Sequence, residues 1–356
     1  MLMSQTAAPT IPFTPYKADP PAGLTPSHLK FLSDFLAPSY LSTATLEKLS
    51  GQFVEASEIV LHNFLKNDLA EKIKQETKSV DERDYPDNEI PSQDLGEGDG
   101  WTLQGPTSKQ RYANLTSQSK STPMLESVLR QLLPSEAFRA WISVVSSLAP
   151  VGYRVEARRF RKGLDYTLAG ADESGGEAQL DVCLGTTWWA DVEPGTDEED
   201  KLVDNGGWDC YLAPPDKDED PAVFQSSRAK KIQDDQKPES AEVEPATTEQ
   251  AEAKVNNDEA KKAGPSISMN GQELEFDPDQ FSPSDFDSDS EAGSDDDGPL
   301  LSSLVSFNRL LIVLRDPGVM KFVKYLGHGA QGSRWDVGGE WEVGVMEEEG
   351  EEEGDE

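Results

Sequence analysis

Three histidines, two cysteines and one glycine-rich loop have the strongest claim on chemistry in this 356-residue chain. Metal-assisted or oxidative chemistry needs imidazole and carboxylate donors at ligand spacing, such as H-x-D or H-x-x-x-H. His28, His62 and His328 stand far apart and none has such a partner, so each reads as solvated or capping. Cys183 and Cys210 lie inside apolar, strand-like runs and read as buried reduced thiols rather than a disulfide framework or a zinc site. Gly327-His328-Gly329-Ala330-Gln331-Gly332 matches G-x-G-x-x-G, but a phosphate cradle needs a helix opening on the third glycine. The following residues 333–341 show no helical period, so the match is coincidental.

A denser pattern runs Arg158-Arg159-Phe160-Arg161-Lys162-Gly163-Leu164-Asp165-Tyr166-Thr167-Leu168-Ala169-Gly170-Ala171-Asp172. It continues in residues 180–189, Gly206-Gly207, Tyr211-Leu212, residues 307–314 and Gly318-Val319-Met320-Lys321-Phe322-Val323. These segments resemble the iron- and 2-oxoglutarate-dependent prolyl hydroxylases. The resemblance implies a double-stranded β-helix (a jelly roll, cupin-like), with Gly170 and Asp172 at the H-x-D positions and Gly318 at the distal histidine. It also implies Arg334 as the 2-oxoglutarate contact. A facial iron site takes two imidazoles and one carboxylate, and glycine supplies no nitrogen donor. The positions Gly170, Asp172 and Gly318 are therefore vestigial, and no catalytic residue, metal or cofactor is expected for this chain.

Tyr40-Leu41, residues 52–65, Gly105-Pro106 and residues 314–325 narrow the resemblance. They are similar to the C-terminal degradation domain of the ribosomal-protein prolyl hydroxylases, the prolyl 3,4-dihydroxylase-like oxygenases. Relatives of this type carry a separate N-terminal catalytic domain that uses Fe(II), 2-oxoglutarate and ascorbate, and residues 1–23 are too few to hold one. The resemblance implies a non-catalytic protein-binding and regulatory module. Its expected partners are a catalytic hydroxylase domain, a ribosomal protein or a degradation-linked factor. Two alternatives stay open: an active dioxygenase with a site rebuilt from Asp172, His328 and a further ligand, and an acidic interaction protein for basic partners.

The elements that must position these residues follow from periodicity. Ser27 reads as the N-cap of a short helix carrying Leu29, Leu32, Phe35 and Leu36. From Thr43 to about Lys78, apolar residues recur at three- and four-residue steps, which predicts one long amphipathic helix. Thr122-Pro123 and Pro134-Ser135 open two more helices. After Pro150, short β-branched and aromatic runs separated by Gly, Pro and Asp predict a many-stranded structure. Helices first and strands second make an α+β chain.

Charge sets the boundaries. Residues 216–299 hold 24 acidic and 8 basic side chains, and residues 347–356 add eight acids, together two thirds of the net −36. Residues 214–299 are too polar to bury a core and read as a disordered acidic insertion; residues 1–23 read as a disordered leader and 347–356 as a disordered tail. One domain then combines residues 24–213 and 300–346. Ser284, Ser288 and Ser294 each precede an acidic residue by three positions and are candidate sites for an acid-directed kinase. The negative balance disfavours nucleic acid as a partner. No run approaches the roughly 20 apolar residues of a membrane helix and no signal peptide is visible, so a cytoplasmic or nuclear location is expected.

Overall fold

The computed structural model describes residues 12–19, 21, 23–86, 92–169, 178–192, 196–213 and 299–344. The chain divides into two units, Met1–Pro215 with Asp297–Glu356, and Asp216–Asp296; the second lies outside the described residues, as do the acidic tail and the three candidate phosphorylation serines. No helix among the described residues is long and apolar enough to cross a membrane.

A helical layer comes first. Helix α1 (Pro26–Leu32) is capped by Thr25 rather than Ser27, because Pro26 takes the first helical position and the Thr25 hydroxyl accepts from His28 N at 3.2 Å. The His28 ring accepts from Thr25 N in return at 3.4 Å, so His28 is a capping residue. The predicted long helix is two helices, α2 (Thr43–Ala56) and α3 (Asn67–Asp84), with strand β2 (Glu58–His62) between them. Ser57 ends α2 in the left-handed region at φ 59°, and Glu58-Ile59-Val60-Leu61-His62 alternates burial as a strand does. Tertiary pairing overrides the helical spacing here. Asn308 accepts from Leu65 N at 2.7 Å and donates to Leu65 O at 3.1 Å, holding the chain extended just past β2. His62 is accordingly a strand residue.

The predicted helices near 123 and 135 are α4 (Pro123–Ser127), which continues into a π-turn at Val128–Leu132, and α5 (Glu136–Ser146). A short α6 (Asp197–Asp204) precedes Gly206-Gly207. The leader departs from expectation: Thr14–Pro15 forms β1 against Tyr153 and Gly152. Its aromatic content explains this, since Tyr16 packs at a tilt against Tyr153, sits 4.1 Å beneath the Arg139 guanidinium and accepts from Trp341 at 3.0 Å.

The remaining strands are β3 (Trp101–Gln104), β4 (Gln110–Leu115), β5 (Ala149–Phe160), β6 (Tyr166–Thr167), β7 (Gln179–Thr186), β8 (Asp209–Leu212), β9 (Leu301–Ser303), β10 (Phe307–Arg315), β11 (Met320–Val323) and β12 (Arg334–Gly344). The larger antiparallel sheet runs β2-β10-β7-β12-β5-β4-β3, and the smaller runs β11-β8-β9. Strand β6 lies beside β11, where Thr167 Oγ1 accepts from Val323 N at 2.6 Å. From β5 onward the chain visits the larger sheet with β5, β7, β10 and β12 and the smaller with β8, β9 and β11, and β6, which pairs with β4 at the end of the larger sheet, bridges across to β11. That alternation is the double-stranded β-helix.

The larger sheet has two unlike faces, because side chains alternate along each strand. One face presents Ala157, Leu180, Val182, Leu184, Leu310, Ile312, Trp335, Val337 and Trp341 to Phe53, Ile73, Phe138 and Trp141 of the helices, and this is the main core. The other faces the small sheet and mixes charged side chains with two smaller apolar clusters, Leu311 and Val313 against Tyr211, and Phe160 with Val305, Val323 and Leu326.

Asp81 of α3 fastens the helical layer to the sheet. Only 2% exposed, its Oδ2 accepts from Trp188 Nε1 (2.8 Å), Ser333 N (2.9 Å) and Trp335 Nε1 (3.1 Å), while Oδ1 accepts from Ser333 Oγ (2.7 Å) and Arg159 Nη2 (2.9 Å). A Cβ at Gly332 would stand 2.5 Å from Asp81 Oδ2, so the last glycine of the G-x-G-x-x-G match serves this packing, and strand β12 rather than a helix follows it.

Two outcomes follow. Asp81→Ala strips five donors of their acceptor and is expected to lower stability by about 3 kcal/mol, read by urea denaturation. Tyr211 and Leu301 are paired neighbours on β8 and β9, so the intervening segment leaves and re-enters the fold at adjacent points. Replacing Asp216–Asp296 with a Gly/Ser linker of about six residues should keep one cooperative melt within ~2 °C of the full chain, since loop length changes closure entropy only slowly.

Candidate functional site in the barrel interior

Between the two sheets, strand alternation places charged side chains where a jelly roll would hold a ligand. Arg334, 3% exposed at the start of β12, donates from Nη2 to Asp209 Oδ2 on the small sheet at 2.6 Å. The same guanidinium meets Asp336 Oδ2 through Nη2 (2.8 Å) and Nε (3.1 Å), and its Nη1 donates to Gly207 O. Arg158 of β5 grips Asp336 from the other side, Nε to Oδ1 at 2.7 Å and Nη2 to Oδ2 at 3.2 Å. Phe160 lies under both cations, 5.3 Å from each guanidinium carbon. A second cluster sits further along the same face: Asp181 Oδ2 accepts from Arg315 at 3.1 Å and lies 3.0 Å from Lys321 Nζ of β11.

Burial by itself would raise the Asp209 carboxyl, but Arg334, Arg158 and Lys321 outweigh it and hold it below the usual carboxylate range. Cys183 is the converse case. Burial, reinforced by Asp209 and Asp336, pushes its thiol up to about 12, so it stays protonated and unreactive. Burial also holds the Glu156 carboxyl above its ordinary range against the opposing pull of Arg158, while Tyr112 donates to it at 3.1 Å.

The residues singled out in sequence fall in different places. Arg334 is in the interior, engaged by Asp209 and Asp336 rather than facing open space. Gly318 occupies the turn before β11 at φ 87° and brings no donor atom. Gly170 and Asp172 lie outside the described residues. His328 is exposed in the loop after β11, and His28 and His62 belong to the helical layer and the edge strand. No three His, Cys, Asp or Glu side chains among the described residues group so as to hold a metal ion. The cavity beside Arg334 and Asp209 measures about 10 Å³, room on the order of one water molecule. The described residues therefore do not fit an iron centre or a bound 2-oxoglutarate.

Sequence reasoning missed Arg158, Asp181, Asp209, Arg315, Lys321 and Asp336 as a set. One signal was available. In Arg334-Trp335-Asp336-Val337, charge and large apolar groups alternate with period two, the mark of a strand buried on both faces with one face ionic.

Residues 27–349 match the protein family described as "Oxoglutarate and iron-dependent oxygenase degradation C-term". The prolyl 3,4-dihydroxylase OGFOD1 of Ostreococcus tauri is 30% identical over 200 residues, covering 53% of this chain and 37% of that protein. This chain thus spans well under half of that relative's length. Among solved structures, a Pseudomonas putida prolyl-4-hydroxylase aligns over 84% of this chain and 100% of its own at 9% identity and TM-score 0.39. A Trichoplax adhaerens prolyl hydroxylase, solved with a hypoxia inducible factor oxygen degradation domain peptide fragment, aligns over 85% and 93% at 10% identity and TM-score 0.37.

The Glu156 environment sets a pH signature. Its folded pKa is raised, so the native state holds a proton the unfolded chain has released, and stability falls as pH rises from the ordinary glutamate range toward the folded value. Glu156→Gln keeps the acceptor for Tyr112 and removes this loss. Thermal melts should show the variant more stable than the parent at pH 7.5, with the difference shrinking as pH falls toward about 4.

Proposed function

Because the chain belongs to the oxoglutarate- and iron-dependent oxygenase degradation C-terminal family, we propose that its described domain is a non-catalytic module that binds proteins in connection with prolyl hydroxylation. The observation that carries this reading is the occupied interior. Arg334, the basic residue that the family resemblance aligns with a co-substrate arginine, is saturated by Asp209 and Asp336 at 2.6 and 2.8 Å. Gly318, aligned with a ligand histidine, has no atom to offer. An oxygenase needs an open coordination position and a bound co-substrate beside it, and this interior supplies neither from its described residues.

What persists is a rigid scaffold with a helical flank, joined in sequence to a segment of strong negative charge. The partners it suits are a catalytic prolyl hydroxylase domain, in the same polypeptide or another, and that enzyme's protein substrate. Fe(II), 2-oxoglutarate and ascorbate belong in this scheme to the catalytic domain. The acidic residues between Pro214 and Pro299, with Ser284, Ser288 and Ser294 as modifiable positions, would add attraction to a basic protein that weakens as salt rises.

The test uses the purified chain with Fe(II), ascorbate and 2-oxoglutarate. The expected result is succinate release no greater than a no-enzyme blank and no change in Tm at millimolar 2-oxoglutarate. Iron-dependent succinate production above the blank overturns the proposal. Retention of a catalytic prolyl hydroxylase domain on the immobilised chain, compared with an immobilised unrelated acidic protein, checks the binding half.

A further inference from the structure

Asp209 reaches Arg334 from the opposite sheet, and its geometry is that of a ligand more than of a packing residue. One oxygen, Oδ2, takes the Arg334 hydrogen bond at 2.6 Å. The other, Oδ1, is buried with no hydrogen-bond partner and stands 3.9 Å from Arg158 Nη2. A buried carboxylate oxygen left unsatisfied is costly. Around it stand the guanidinium groups of Arg334 and Arg158, which Asp336 also pairs, and around the small cavity the Arg309 side chain and the hydroxyl-bearing Ser303, Ser306 and Thr187.

The structure assigns to Asp209 the role of a built-in ligand, a carboxylate tethered to β8 that fills a carboxylate-binding site formed by Arg334 and Arg158 between the sheets. In the native chain this closes the interior to soluble carboxylates and bolts the small sheet to the large one. When the tether is cut, the site accepts a carboxylate of one or two carbons. The inference rests on the non-catalytic reading for treating Arg334 as ligand-facing, yet its test measures anion binding and not turnover, so either can fail without the other.

Chemical complementation separates the possibilities. Asp209→Ala removes a group the size of formate while leaving Arg334 and Arg158 in place. Melts of the full chain are compared in sodium formate and in sodium chloride at equal ionic strength. Formate is expected to raise the Tm of Asp209→Ala by about 3 °C more than chloride when it exceeds its Kd roughly tenfold, and to give the parent chain no such difference. The double variant Asp209→Ala/Arg334→Met should lose the formate effect, because the cation that binds it is gone. Asp209→Asn, which fills the same space, should show none.

Equal responses to formate and chloride in Asp209→Ala overturn the inference. So does a formate gain that survives in the double variant or appears in Asp209→Asn. If Asp209→Ala is recovered only unfolded, refolding yield in formate against chloride gives the same reading: higher yield in formate supports the assignment, and equal yields sink it.

Discussion

A guanidinium cannot be buried alone, and Arg334 is buried almost completely. Removing such a cation from water is repaid only by close, well-oriented carboxylates. Asp209 and Asp336 supply them, and the consequences spread through the barrel. Asp336 shares its charge with Arg158, and Asp209 ties the small sheet to the large one. Around Arg334 the interior that results is ionic, with a cavity of about 10 Å³ beside it. A jelly roll with an apolar interior would hold its sheets together without direction. This one holds them with oriented hydrogen bonds, which fix the relative placement of the sheets as well as their contact.

The opposite face of the same sheet obeys the other rule. There, Trp335, Val337, Trp341 and the alternate residues of β7 and β10 meet the helices in a conventional apolar core. An ionic element on that side, Asp81 with Arg159, sits where α3 crosses the loops leading into β12 and following β7. Its oxygens accept from two indoles, a backbone amide, a hydroxyl and a guanidinium, so a single carboxylate orders elements more than 100 residues apart in sequence. Strand alternation explains why one sheet can serve two such different interiors: neighbouring residues of β12 never share a face.

Function follows from what the interior holds. An oxygenase barrel keeps its centre polar in order to receive metal and co-substrate; here the polar groups have been turned on one another. The depressed Asp209 carboxyl and the elevated Cys183 thiol are both set by burial among these paired charges. That arrangement supports the proposed reading of the domain as a binding module.

Much was legible in the chain itself. Gly318 carries no donor whatever its neighbours do, and the absence of histidine pairs at ligand spacing is a property of the sequence alone. The mixture of helices and strands, the acidic block and the apolar runs that became β7 and β10 follow from local composition, because burial and periodicity are encoded residue by residue; the expected order of helices first and strands second does not hold, since β1 to β4 lie before or between the helices and α6 follows β7. Other features were not local. The break between α2 and α3 exists because Asn308, more than 240 residues away, holds Leu65 in an extended path. Residues 12–19 take their place on the sheet because Tyr16 finds Arg139 and Trp341. Whether Arg334 faces a ligand or a neighbour depended on which residue of another strand stood opposite, and only the folded register brings Asp209 there. Side-chain type and spacing along one strand are written in sequence; the pairing of charges across two sheets is set by strand order and register, which tertiary structure alone decides.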